Sequence, residues 1–288
     1  MVSELNARLA FHFKAACLAE LEALKPGNVH LFADGHGMVV EDFVRSAEAA
    51  AGQIAQPGIS VGQRIRDAVD ATWQAVGCNT NIGIVLLCAP LVEAMLDGSA
   101  DPLRDRLRRV LRNLSITDAA QAYQAIVQAS PAGLCEVDRH DVRTTPQITL
   151  LQAMCEAAPR DRVACQYARD YADIFDFALP RYRTLLARWE RPAWAATGVY
   201  LGFLAAWPDT HVVRKLGASV AEALRLEAMA HEQACLALDN PKLYQRSLLD
   251  FDASLKRRGI NPGTSADLTV ATLLACALEN MVTEFTAS

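Results

Sequence analysis

A chain of 288 residues can bury a large core, and 52% hydrophobic residues with only 7% aromatics, mostly Ala and Leu, favour helices over sheets. The net charge of −5 gives no basic footprint for nucleic acid. No apolar run reaches the roughly 18–20 residues of a membrane span, and no cleavable signal opens the chain. The eight cysteines are scattered without a CxxC pair or zinc-finger spacing, so a reduced, cytoplasmic protein without a structural metal is expected.

In chain order, residues 3–23 place Leu5, Leu9, Phe13, Ala16 and Glu20 on a 3.6-residue repeat before Lys25-Pro26-Gly27 stops the helix. The pattern predicts further helices over 40–55, 60–76, 80–97, 101–113, 116–129, 147–158, 161–178 and 180–189. The last group covers 193–206, 210–217, 219–237, 241–256 and 265–284. Strand-like alternation is almost absent, and the expected architecture is all-α: one large multi-helix domain over 1–288 with buried apolar helices. Arg104, Arg106, Arg108, Arg109 and Arg112, diluted by Asp101 and Asp105, read as a solvated helix face. Apolar helices with few aromatics permit a homo-oligomer without demanding one.

Three polar phrases each open an apolar segment: Gly77-Cys78-Asn79-Thr80-Asn81, Pro208-Asp209-Thr210-His211 and Asn261-Pro262-Gly263-Thr264-Ser265-Ala266-Asp267. Each reads as a helix start whose Asn, Asp, Thr or Ser can cap free backbone N–H groups. Helix starts of this kind attract anions, so three of them suggest a phosphate-rich ligand held without a P-loop. Asn79 and Thr80 can cap, leaving Asn81 at the helix mouth. Thr264 to Asp267 has capping-box spacing, so Asp267 either closes its own helix or faces a ligand. Asp209 is either an N-cap or a catalytic acid, and His211, Arg214 and Lys215 follow it within about one turn.

Two further groups carry acids. Glu20 and Glu22 lie in the last turn before Lys25-Pro26-Gly27-Asn28, where the helix dipole disfavours carboxylates. A Mg²⁺ shared with substrate phosphates would reverse that penalty; a plain solvated helix end is the alternative. Glu136-Val137-Asp138-Arg139-His140-Asp141-Val142-Arg143 falls in the longest irregular stretch, 130–146. It is either an exposed loop or a supplier of carboxylates, Asp141 among them, to a metal–phosphate ligand. Arg160-Asp161-Arg162 adds cations downstream.

Lys25-Pro26-Gly27-Asn28-Val29, Asn79-Thr80-Asn81-Ile82-Gly83, Pro208-Asp209-Thr210-His211 with Arg214-Lys215-x-Gly217, and Asn261 to Leu268 together resemble the triphosphoribosyl-dephospho-CoA synthase family. Order and spacing agree from about residue 10 to 280. Asn81 and Ile82 stand where synthases of the citrate and malonate systems read His-Lys, which looks like the archaeal and methylotroph branch. The resemblance implies an all-α transferase that joins ATP to 3′-dephospho-CoA and releases adenine, with Mg²⁺ and ATP as the small molecules required. Alternatives are a same-scaffold transferase acting on a methanopterin- or methanofuran-type precursor, and a nucleotide-binding helical module without catalysis. Carried onto this chain, the resemblance implies Lys25, Asp209, His211 and Asp267 as catalytic. It implies Gly27, Asn28, Asn79, Thr80, Asn81, Arg214, Lys215, Gly263, Thr264 and Ser265 as ligand-binding; the acids read above, Glu20, Glu22 and Asp141, are the candidate metal ligands.

Overall fold

A computed structural model describes residues 2–130 and 140–287, and among these there is no β-strand, only two isolated bridges in the turn at 30–38. Fourteen α-helices follow in order. They are α1 (Val2–Glu22), α2 (Val40–Ile54), α3 (Val61–Val76), α4 (Ile82–Leu96), α5 (Leu103–Arg112), α6 (Ile116–Ala129) and α7 (Leu150–Ala157). Then come α8 (Arg162–Ala168), α9 (Leu179–Trp189), α10 (Pro192–Ala206), α11 (Thr210–Leu216), α12 (Ala218–Leu236), α13 (Gln245–Arg257) and α14 (Gly263–Ala287). The all-α expectation holds, and most ends agree with the periodicity within two or three residues.

Two apolar clusters share one wall. Helices α1 to α8 and α14 build the larger cluster, and α9 to α13 build the smaller. Helix α10 separates them: Val199 and Phe203 face the first cluster, while Tyr200, Leu201 and Leu204 face the second. Every residue from Ala195 to Ala205 is therefore buried, as expected of a helix that is apolar all round. Helix α14 crosses the larger cluster against α1, α4 and α10. Its 263–284 segment, with a mean hydropathy of 1.3, does reach the length and apolarity of a membrane span, which the sequence reading overlooked. Its apolarity is accounted for here by burial within the bundle.

The predicted helix over 161–178 is broken. Asp170 and Tyr171 take left-handed backbone (φ 49° and 55°), and a π-helical turn follows at Asp173–Ala178. The break has a purpose in packing. Pro90, inside α4, has no N–H to offer the carbonyl of Leu86 four residues back. Tyr167 donates its hydroxyl to that carbonyl at 2.6 Å, and Tyr171 donates to the next one, Leu87, at 3.0 Å.

Candidate active site

The Lys25-Pro26-Gly27-Asn28 turn is built from outside itself. Leu24 N–H donates to Thr197 Oγ1 (2.9 Å), Tyr200 donates its hydroxyl to the Pro26 carbonyl (2.7 Å), and Gly27 N–H donates to Asp252 Oδ1 (2.8 Å). His36 Nε2 donates to the Gly27 carbonyl at 2.7 Å. Gly27 has φ +86°, and a Cβ there would stand 2.8 Å from Pro262 Cδ, so the turn is seated directly on the Asn261-Pro262 phrase. Asn28 completes the join by donating to Asn261 Oδ1 at 2.8 Å.

Behind this turn Asp252 is buried between His30, 3.4 Å away, and Lys256, 3.1 Å away, and Lys256 also donates to the Ala33 carbonyl. Burial alone would raise the Asp252 pKa, but the bonds from His30 and Gly27 N–H hold it below its ordinary value. Lys25 is also fully buried, with its ammonium paired to Glu20 and 3.3 Å from Asn28 Oδ1. Burial pushes Lys25 down and Glu20 up, each opposed by the charge of the other. The expectation that Lys25 is presented to a ligand is therefore replaced: its side chain points to Glu20, and Glu20 reaches the cavity.

The second and third phrases meet at Asp209. Its Oδ1 accepts from the N–H groups of His211 (3.0 Å) and Val212 (3.1 Å), capping α11. Its Oδ2 accepts from Ser265 N–H and Ser265 Oγ, both at 2.8 Å, in the first turn of α14. One carboxylate thus serves two helix starts, and Thr264 Oγ1 adds a contact to Thr210 Oγ1 and accepts from His211 N–H, both at 3.1 Å. A third start joins them. Asp161 caps α8 through Val163 and Ala164 N–H, pairs with Arg214, and Arg162 N–H donates to Thr210 Oγ1 at 3.2 Å. In the sequence Asp161 stands only among the charges of Arg160-Asp161-Arg162, and its Asp-x-apolar spacing is the signal for the cap.

Helix α4 starts differently. Asn79 Oδ1 accepts from Ile82 N–H (3.1 Å), Thr80 donates to Ser46 Oγ (2.6 Å), and Asn81 donates to Thr72 Oγ1 (2.9 Å). Asn79 thus caps, while Thr80 and Asn81 bolt the start to α2 and α3. Gly83 lies where any side chain would collide with Asp267: a Cβ would stand 2.0 Å from its Oδ2. Gly263 similarly makes room for the His211 ring, 2.9 Å from where its Cβ would be.

These elements enclose a cavity of about 410 Å³. Glu20, Asn28, Asn79, Thr80, Asn81, Asp141, His211, Arg214, Gly263, Thr264 and Asp267 all line it, joined by Asp161, Asn261 and Arg160. Lys25, Gly27, Asp209 and Ser265 stand behind the lining as its supports. Lys215 is exposed and Glu22 lies on the exposed side of α1, so neither lines the cavity. Glu22 is turned out because it follows Glu20 by two positions, which puts them on different helix faces. Asp141 lines the cavity but is paired with Arg143 at 3.2 Å. Glu136, Asp138 and Arg139 lie outside the described residues.

Two groups stand apart in their protonation. No hydrogen-bond donor reaches Asp267 among the described residues, and burial, then the charges of Glu20 and Asp209, push its pKa well above the ordinary carboxyl range. The His211 pKa is lowered, first by burial and then by Arg214, Lys215 and His36, against the pull of Asp209. Asp267 thus favours its protonated form and His211 its neutral form. Among the described residues no three His, Cys, Asp or Glu side chains are grouped to hold a metal.

No curated protein matches the chain. Among solved structures, the "putative triphosphoribosyl-dephospho-CoA synthase from Archaeoglobus fulgidus" superposes with a TM-score of 0.63 at 22% identity, covering 81% of this chain and 97% of that one. That likeness shows a shared fold. Residues 6–284 match the family described as ATP:dephospho-CoA triphosphoribosyl transferase, CitG, and the match spans all four phrases that converge on the cavity. Matched over nearly its whole length, the chain belongs to the ATP:dephospho-CoA triphosphoribosyl transferase family and is a transferase of the triphosphoribosyl-dephospho-CoA synthase type.

Proposed function

We propose that the cavity performs this transfer with Asp267 as general acid and His211 as general base. The carrying observation is that Asp267, which no hydrogen-bond donor reaches among the described residues, and His211 line one cavity, and their opposite pKa directions agree with acid and base roles in a shared site. In the reaction, the bond between the ribose anomeric carbon of ATP and adenine breaks as a hydroxyl of dephospho-CoA bonds to that carbon. Positive charge builds on the sugar, by analogy with glycoside chemistry. Protonated Asp267 gives its proton to the departing adenine, and neutral His211 takes the proton of the attacking hydroxyl. Burial of His211 among cations favours the base role over that of proton donor.

The triphosphate fits the polar end of the cavity, at the starts of α4 and α14 and beside Arg214. Mg²⁺ suits the hard oxygen donors present. One carboxylate plus phosphate oxygens commonly suffices, and the Glu20 oxygen not engaged by Lys25 is the candidate ligand. When bound, the ion would neutralise triphosphate charge. Glu22 and Asp141 have no part in this reading. The domain is proposed to work as one unit across 1–288, in the cytoplasm.

The test is adenine release from Mg-ATP with 3′-dephospho-CoA, with the product mass determined. Wild type should release adenine and form the triphosphoribosyl adduct, while Asp267→Asn and His211→Asn should each lose it. Full activity in Asp267→Asn would overturn the assignment of the acid.

A further inference from the structure

Several glycines in this chain are crowded, and what crowds them differs. A Cβ at Gly62 would stand 2.4 Å from the Asp118 Cα, and one at Gly27 3.0 Å from the Ile260 carbonyl oxygen, so these two let backbone segments pack. Gly198 makes room for Leu185 and Trp189, and Gly202 for Arg181. Gly83 and Gly263 meet something else. The three atoms nearest a Cβ at Gly83 all belong to the Asp267 carboxyl group, Oδ2 first at 2.0 Å. The three nearest a Cβ at Gly263 all belong to the His211 ring, Nδ1 first at 2.9 Å. The acid and the base are each pressed against a glycine, and both glycines line the cavity.

The backbone gives no reason for glycine at either place. Gly83 is the second residue of α4 and Gly263 the first of α14, and neither takes the positive φ of Gly27, Gly77 or Gly217. Glycine is the poorest helix former after proline, so alanine would suit both starts better as backbone. Both starts are also held. Thr80 and Asn81 bond the start of α4 to α2 and α3, and Asp209 bonds that of α14 to α11. A methyl group at either position therefore meets a fixed helix start and a side-chain end that can swing. The cheaper response is for the carboxyl or the ring to move.

Resting on the functional reading above, we propose that Gly83 and Gly263 are positioning residues of the transfer, setting where the Asp267 carboxyl and the His211 ring stand against the first turns of α4 and α14. Without a side chain between, each reacting group lies directly on a helix start, and the placement of acid and base is inherited from the two helices. Alanine at Gly83 would push the carboxyl back by about an ångström or more before ordinary contact is regained, and misplacement of that size costs about 10²-fold in rate. At Gly263 the encroachment is milder, 2.9 Å against 2.0 Å, and the loss should be smaller.

Adenine release from Mg-ATP with 3′-dephospho-CoA reads the effect. Gly83→Ala should lower kcat about 10²-fold and Gly263→Ala about tenfold or less, with both KM values held and Tm unchanged or higher. A methyl that merely took substrate space would raise KM instead. The decisive readout is a double-mutant cycle on the residual rate. On an Asp267→Asn background Gly83→Ala should cost nothing further, because the group it displaces is no longer an acid; on a His211→Asn background its loss should persist. Losses that multiply on the first background, or a raised KM with kcat intact, would overturn the proposal. If Gly83→Ala lowers Tm, Asp267→Ala on the same chain removes the obstruction and should restore it, and failure to restore it would overturn the proposed contact. Gly263→Ala with His211→Asn then carries the same kinetic cycle. Full activity in Gly83→Ala beside an inactive Asp267→Asn would overturn this proposal alone. Absence of adenine release in wild type would overturn the functional reading beneath it.

Discussion

The Lys25 turn and the Asp267 wall are both rich in buried charge, yet they treat it oppositely. Behind the turn every charge is answered: Lys25 by Glu20, Asp252 by Lys256, His30 and Gly27 N–H. At the wall Asp267 is answered by no donor among the described residues, and the like charges of Glu20, Asp209 and Asp161 outweigh the opposing charge of Arg214. Answered charges hold a shape, because removing one partner strands the other. An unanswered carboxyl stores the unfavourable energy that chemistry uses, and it does so at some expense of stability. The difference separates scaffold from reagent within one cavity.

Substitutions can break that distinction. Asp267→Asn should lower kcat by about 10²–10⁴-fold while leaving Tm unchanged or higher, since an unfavourable buried carboxyl is removed. A fall in Tm beside normal turnover would place Asp267 with the scaffold. In wild type the same pair sets a pH window. His211, lowered by burial, must be neutral, so activity falls as pH drops through its pKa, below the ordinary imidazole value. Asp267, raised, must be protonated, so activity falls as pH rises through its pKa, above the ordinary carboxyl value. Profiles of kcat in His211→Asn and Asp267→Asn should each lose the corresponding limb.

Lys25→Ala should do the opposite of Asp267→Asn. Stranding Glu20 should cost about 3–5 kcal/mol in urea unfolding, so the variant is expected to lose fold as well as activity. Inactivation with the helical fold intact would instead mean that the Lys25 ammonium serves the ligand rather than Glu20.

Asp209→Ala removes caps from two helices at once, and about 2–4 kcal/mol of stability should go with it, visible as a lowered urea midpoint. A loss near that of a single cap, about 1 kcal/mol, would mean that α11 and α14 are not coupled through this residue. Tyr167→Phe, behind the cavity-lining Leu86, strands the Leu86 carbonyl opposite Pro90 and should cost about 1–3 kcal/mol, visible as a lowered urea midpoint.

Much of this was legible before folding. Helix periods, the stop at Pro26-Gly27 and the caps at Asp209 and Asn79 are local, set by backbone sterics and side chains within four residues. The break at Asp170-Tyr171 was not legible, because the α4 carbonyls that Tyr167 and Tyr171 meet, Leu86 and Leu87, lie about eighty residues earlier. The same holds for Gly83, whose missing side chain makes sense only beside Asp267. Asp161 was visible as a cap but not as the partner of Arg214, since no local rule joins them.

The chain by itself thus determined an all-α architecture and the four polar phrases that mark the family. Only tertiary structure decided which of their residues are supports and which are reagents. The physical reason is that protonation and exposure depend on what packs around a group. Lys25 and Asp267 are both ionisable side chains in polar motifs, and folding gave one an ion-pair partner and the other a surplus of negative neighbours.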